Sequence, residues 1–334
     1  MKFITLIILF IGFFVHANSS ELSSAALDTP WRLERSNFYF ENDVFSQTDS
    51  QYSAGWKLSN VYFAPASDVE KLPFIADANK IHFVSIGLSL QIYTPNDLNV
   101  SEVILDDRPY AGWLYLEVGL HESSQIELHS FVVQVGVVGK LSGGEATQKV
   151  IHRIIGNDAP MGWDNQLRNE LGVNLMYQHK WRYTPHMFLG LESNIIPFVS
   201  ASLGNVTTDV NSGAIMRFGW NPIVDFGSSP IDIGGENGIP TRSNNLCSKH
   251  EPWSFTFNFS ASGQAIAHNV FLDGNTFNGS HWVEKENFIA YGSYGFTARY
   301  KHFVFDYINT ATSKHFKEES SGHNYGTILF SYLY

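Results

Sequence analysis

The chain has 334 residues, of which only 16% are charged and 15% aromatic, and its formal net charge is -11. That acidic balance, with no cluster of Lys and Arg interleaved with aromatics, argues against a nucleic-acid partner, and a single cysteine, Cys247, excludes an intrachain disulfide framework. No uninterrupted apolar stretch is long enough to cross a bilayer as a helix, so any membrane span must be made of strands.

At the N-terminus a lone Lys2 precedes the apolar run Phe3 to Val15, which ends in the small-x-small signal Val15-His16-Ala17. This pattern predicts a secretory leader over residues 1-17, followed by a single domain over 18-334. Tyr, Phe and Trp then recur at the ends of alternating segments, as the aromatic girdles of an outer-membrane barrel require. About twelve such segments are predicted. They fall at 32-43, 53-63, 82-93, 111-122, 126-139, 169-182, 186-202, 211-220, 253-269, 287-301, 303-312 and 323-334. The fold expectation is therefore all-β, a transmembrane antiparallel barrel with a short helix near its outer mouth.

The first segment ends in Phe38-Tyr39-Phe40-Glu41-Asn42-Asp43, an aromatic run closed by an acid-amide-acid triplet. These are hard oxygen donors of the kind that hold calcium, and equally the residue types of an ordinary turn. Thr48 to Gly55 leads into the second segment, and a hairpin there brings Ser53 near Asn42 and Asp43. The third, Val84-Ser85-Ile86-Gly87-Leu88-Ser89-Leu90-Gln91, alternates most clearly, with one row for lipid and one for an interior. Asp106 to Trp113 reads as a charged tight turn braced by an Arg108-carboxylate pair.

One stretch departs from the period of two. Gly143 to Asn157 reads as a short helix opened by a diglycine, on which Gln148 and His152 share a face at i and i+4. A titratable imidazole beside an amide on a rigid element is a candidate base. Pro160 to Gln166 follows, with Trp163 placed at a lipid interface and Gln166 near His152. The other histidines of the mature chain, among them His129, His179 and His315, lack such surroundings and read as structural or solvent-exposed. Asn221 to Pro252 is rich in Gly, Pro, Ser and Asn and reads as a long extracellular or lid-like loop. Alternation returns in Ser254 to Ser260 and in the last segment, where Ile328, Phe330, Tyr332 and Tyr334 fall on one side.

Taken together, these pieces resemble the outer-membrane lipid A 3'-O-deacylase family. The resemblance rests on Asn42-Asp43, on Asp49 with Tyr52-Ser53-Ala54-Gly55, on Gln91 to Pro95, and on Gly136-Val137-Val138-Gly139. Gly143-Gly144, Gln148, His152 to Gly156, Trp163 and Gln166 complete it. It implies a twelve-stranded barrel of the bacterial outer membrane, with its site at the outer mouth and lipid A or lipopolysaccharide as substrate among outer-membrane lipids. No obligate protein partner is implied. It further implies His152 as the base that activates water, with Gln148 and Asn42 as site residues. Calcium stabilises the oxyanion, held by Asp43 and by Ser53, which stands where the family usually has threonine. Some members carry a lysine after the third strand, and Thr94 to Val103 has none. Two other readings stay open: a non-enzymatic porin or structural barrel, and a calcium-dependent outer-membrane phospholipase, although no His-x-Ser-Asn-Gly nucleophile motif occurs.

Overall fold

The computed structural model describes residues 30-43, 51-69, 80-184, 191-231, 235-241 and 252-334. The expected leader, Asp49, His186, His250 and Cys247 lie outside the described residues. Twelve strands run in chain order: β1 (Arg32–Asn42), β2 (Gln51–Ala64), β3 (Ile81–Thr94), β4 (Ala111–Ser123), β5 (Glu127–Val138) and β6 (Glu170–Trp181) are followed by β7 (Glu192–Gly204), β8 (Thr207–Trp220), β9 (Trp253–Asn269), β10 (Phe288–Tyr300), β11 (Phe303–Thr312) and β12 (Asn324–Leu333). Each pairs antiparallel with its sequence neighbours, and β1 closes on β12 with Arg35 opposite Leu333 and Asn42 opposite Gly326. Closure satisfies the backbone groups that lipid cannot.

The side-chain period of two decides which medium each face meets. Along β4, β5 and β6, Leu116, Val118, Val133, Val135, Leu171 and Leu175 are exposed, while the intervening Glu117, Gln134 and Asn174 are buried. Apolar outside and polar inside is the pattern of a barrel standing in hydrocarbon. The β7 and β8 bounds differ from expectation because the two strands reverse at Asn205-Val206, so β8 begins four residues earlier than its apolar alternation suggests. The β6–β7 ladder runs only from Asn174↔Gly204 to Lys180↔Phe198. It stops beside Pro197, which has no N–H to give, and an isolated bridge between Tyr183 and Ile195 resumes the pairing.

Strand alternation places the β1–β2, β3–β4, β5–β6, β7–β8, β9–β10 and β11–β12 connections at one end, with the start of β1 and the end of β12 at the other, the termini end. The β8–β9 connection therefore opens at the termini end. The expectation of an extracellular or lid-like loop is corrected, because its described part folds into the lumen as a plug. Lys57, projecting inward from β2, has its Nζ 2.7 Å from Glu117 Oε1 and 3.3 Å from Glu236 Oε2 of the plug. Tyr39, Asn37 and Ser59 all donate to Glu236 Oε1. Arg217 pairs with Asp225 at 2.5 Å, and Phe226 and Ile239 join Val61, Phe63, Phe83 and Leu128 in an apolar cluster. Toward the helix end a second layer, including Tyr52, Tyr93, Trp113, Phe271 and Tyr325, crosses the lumen. Sequence period could not show this, since the plug carries turn chemistry and its placement depends on strand parity.

Candidate active site

The helix Gly144–Ile155 lies on the outer side of the wall formed by β3 and β4. Gly143, at φ 74°, occupies a backbone region that a side chain would strain. Gly144 serves a different need: a Cβ there would come within 3.1 Å of Gly112 Cα on β4, so the missing side chain lets helix and strand touch. The face turned to the wall carries Gly144, Gln148 and His152. Ala146, Val150 and Arg153 are exposed on the other side, so this helix buries a polar stripe against the wall and turns a mixed one outward.

On β3, Ile86 and Leu88 face lipid, whereas Leu90 and Ile92 share their row but are buried. Trp163 covers them, packed with Ala54, Leu90, Ile92 and Tyr110, and Ile151 of the helix joins the same cluster. Trp163 is thus buried rather than at the lipid interface, and its indole Nε1 donates to Gln148 Oε1 at 2.8 Å. Gln166 does not reach toward His152: its Nε2 donates to the Trp163 carbonyl, holding the indole that holds Gln148. Gln148 Nε2 is buried with no hydrogen-bond partner among the described residues. His152 Nδ1 lies 2.6 Å from the Asp158 carbonyl oxygen. A carbonyl only accepts, so Nδ1 carries the proton and Nε2 keeps the lone pair in the neutral ring.

The second half of the site comes from β1 and β2. Asn42 Nδ2 donates to the Ser53 carbonyl at 2.9 Å, and Ser53 sits in an irregularity between Tyr52 and Ala54 where the β2–β3 register shifts. Such a bulge re-aims a side chain, and here the Ser53 hydroxyl meets the Thr94 hydroxyl. Just before it Gln51 holds φ 71°, costly for a residue with a Cβ. Asp43 follows Asn42 and is fully buried. The two halves meet through the Trp163 cluster, since Ala54 adjoins Ser53 in sequence and pairs with Asn42 in register. The structure thus brings Asn42, Ser53, Gln148 and His152 to the same stretch of wall at the helix end.

A carboxylate, a carboxamide, two hydroxyls and a main-chain carbonyl make an all-oxygen donor set at Asp43, Asn42, Ser53 and Thr94, which suits calcium. A different cluster meets the distance requirement for a metal. Glu127, His129 and His179 offer ligand atoms within 4.8 Å of one another. They lie on the outward face near the termini end of β5 and β6, about 30 Å from the site helix at roughly 3.3 Å per residue. Sequence reading missed them because Glu127 and His129 share a face by alternation, but only the register that sets His129 opposite His179 completes the group.

The tight turn before β4 is braced differently from expectation. Asp107 accepts from Asn96 N at 2.7 Å and Arg108 N at 2.8 Å, and no carboxylate lies within 4.0 Å of the Arg108 guanidinium among the described residues. The acid satisfies the turn's backbone, so the guanidinium is released into the lumen. There, burial and the Arg108 charge hold His323 at about 4, and burial followed by Arg108 and His323 pushes His315 well below the usual histidine value.

The sequence matches the family described as outer membrane protein LpxR over residues 3–334. Among solved structures, LpxR from Salmonella typhimurium matches with a TM-score of 0.73 and 18% identity, covering 90% of this chain and 100% of that one. The beta domain of the Bordetella autotransporter BrkA matches with a TM-score of 0.47 and 8% identity, over 90% of this chain and 99% of that one. The KdgM porin gives 0.35 and 4% over the same shares. No curated protein matches the sequence.

Proposed function

The chain belongs to the outer membrane protein LpxR family, and from that premise we propose that it is an outer-membrane lipid A deacylase that hydrolyses the 3'-acyloxyacyl ester. The observation that carries the reading is the fixed imidazole: His152 is locked by the Asp158 carbonyl with Nε2 as its basic nitrogen, on a helix clamped to the membrane-facing wall. Acyl transfer to water needs a base that can take the water proton and a positive site where the oxyanion grows. His152 is the base. Gln148, oriented through its Oε1 by Trp163, presents its Nε2 to the substrate.

Asp43 and Ser53, supported by Asn42, are the residues that would hold calcium. When bound there, calcium supplies the fixed positive charge that an ester carbonyl requires as it becomes tetrahedral. The lipid approaches from the side rather than through the lumen. Leu105, Leu141, Val150 and Met161 form an exposed apolar rim near the helix, which would receive acyl chains without cost in water contact. The plug between Lys57 and the wall speaks against a conducting pore.

The test is mass spectrometry of lipid A from Gram-negative cells expressing the chain, with and without a calcium chelator, beside His152→Ala. Loss of the 3'-acyloxyacyl mass is expected in the wild type alone and is prevented by the chelator. Unchanged lipid A with a folded, surface-located barrel refutes the assignment, and release of phospholipid acyl chains instead would point to a phospholipase.

A further inference from the structure

Above the plug the lumen holds a cavity of about 70 Å³, bounded by Tyr93 and Phe271 toward the helix end and by Ile231 of the plug beneath. Arg108 lines it, only 1% exposed, with Nε and Nη1 buried and without an acceptor among the described residues. Its guanidinium carbon stands 5.3 Å from the Tyr93 ring centroid and 6.0 Å from that of Phe316. Aromatic faces orient a guanidinium and recover part of its lost hydration, but they leave its N–H groups without oxygen partners.

The nearby acids are engaged elsewhere. Asp107 accepts from the backbone of the turn, and Glu319 accepts from His315 N. A buried arginine left in this state costs several kcal/mol unless an anion completes it. His315 lines the same cavity, and its Nε2 is buried and likewise without a partner. Two polar groups on different elements, one before β4 and one after β11, thus leave unpartnered nitrogens beside one space. Across the lumen Asp209 of β8 also lines the cavity, with Thr207 Oγ1 donating to its carboxylate at 2.8 Å. The chamber is therefore polarised, with its anion-attracting side at Arg108.

We propose that this chamber is an oxyanion site, in which Arg108 binds a phosphate group through its planar fork and His315 Nε2 donates to the same group. The match is chemical: a guanidinium pairs with phosphate oxygens in bidentate fashion, and burial of the guanidinium in a protein-lined lumen strengthens each contact relative to water. The site is on the inner side of the wall whose outer side carries His152, and it does not depend on the hydrolase reading. A phosphate group has two sources here, free inorganic phosphate and the phosphorylated headgroup of a lipid.

The experiment uses the full-length barrel purified in detergent, titrated at constant ionic strength and neutral pH with inorganic phosphate and separately with phosphorylated lipid A in bicelles. Binding is read by calorimetry and by the imidazole NMR signals of His315, assigned through His315→Gln. Saturable binding that moves the His315 signals is expected with at least one of the two probes. Response to inorganic phosphate identifies a solvent anion as sufficient, and response to the lipid alone identifies a headgroup. Arg108→Met should abolish the binding and Arg108→Lys should weaken it at least about tenfold, since a point charge replaces a fork. Circular dichroism and the heat-dependent gel shift of the barrel confirm that each variant is folded. No saturable binding of either probe to the wild type, or undiminished binding to a folded Arg108→Met, overturns the proposal.

Discussion

Replacing Glu236 by Ala should open the lumen while leaving the barrel closed. Glu236 Oε1 accepts from Asn37 Nδ2 at 3.0 Å, Tyr39 OH at 2.8 Å, Ser59 Oγ at 3.0 Å and Asn237 N at 3.0 Å, and Oε2 is 3.3 Å from Lys57 Nζ. Hydrogen bonds to a charged acceptor contribute about 1.5–3 kcal/mol each when taken singly, and they do not add within one network. Breaking a buried ion pair costs about 3–5 kcal/mol, but Lys57 keeps Glu117 at 2.7 Å, which places the loss near the lower figure of ~3 kcal/mol. That loss falls on the plug alone, because the twelve-strand ladder makes none of these bonds. A shift of this size changes the open fraction of the plug by about a hundredfold. Single-channel recording in planar bilayers should show a closed wild type and openings in Glu236→Ala, with protease cleavage in the 221-241 segment and an unchanged heat-dependent gel shift. Wild-type conductance equal to the variant's, or a variant as protease-resistant as the wild type, refutes the account of Glu236 as the latch.

The same latch predicts a pH dependence. Burial alone would raise the Glu236 carboxyl, but Lys57 and its hydrogen bonds hold it below the ordinary 4.5, and Arg217 and Arg35 likewise hold Asp225 below 3.8 against burial. For depressed acids the stabilisation is complete above the unfolded value and is lost as pH falls through the folded one. Conductance should therefore stay absent down to pH 4.5 and appear only below it, and openings at pH 6 would contradict this. Gly144→Val should push the site helix off β4, whose Gly112 Cα would lie 3.1 Å from the new Cβ, abolishing deacylation while the barrel still folds by gel shift. His152→Ala should lower turnover by about 10²–10⁴-fold, the usual worth of a general base, as measured by lipid A mass spectrometry over time. Trp163→Phe keeps an aromatic ring, though a smaller one, and removes the 2.8 Å bond to Gln148, and a loss smaller than that of His152→Ala is expected in the same assay.

Most of the barrel was legible because a strand between lipid and a filled lumen must alternate. Segments such as Trp253–Asn269 carry that signal along most of their length. What alternation could not reveal depends on partners distant in sequence. The β8–β9 segment reads as solvent-exposed turn chemistry, yet in its described part Gly235 and Gly238 fit against Lys57 and Arg35 inside the lumen. Arg108 reads as half of an ion pair because Asp106 and Asp107 adjoin it, whereas the backbone of the turn takes the Asp107 carboxylate. In both cases neighbouring residues suggested a local partner and the three-dimensional register supplied another.

The candidate site marks the place where alternation persists in sequence but loses its meaning. Ala54, Leu90 and Ile92 stand on the lipid-facing row and are buried all the same, which requires a protein element on the outside of the barrel. The only long helix among the described residues, Gly144–Ile155, supplies it. That helix could not stay there on apolar contacts alone, since its inward stripe is Gly144, Gln148 and His152, while Ala146, Val150 and Arg153 face outward. A helix with such an inner face is stable only where its buried polar groups find partners, and Trp163 and the Asp158 carbonyl provide them. The imidazole is consequently buried between that helix and the outer face of the barrel wall.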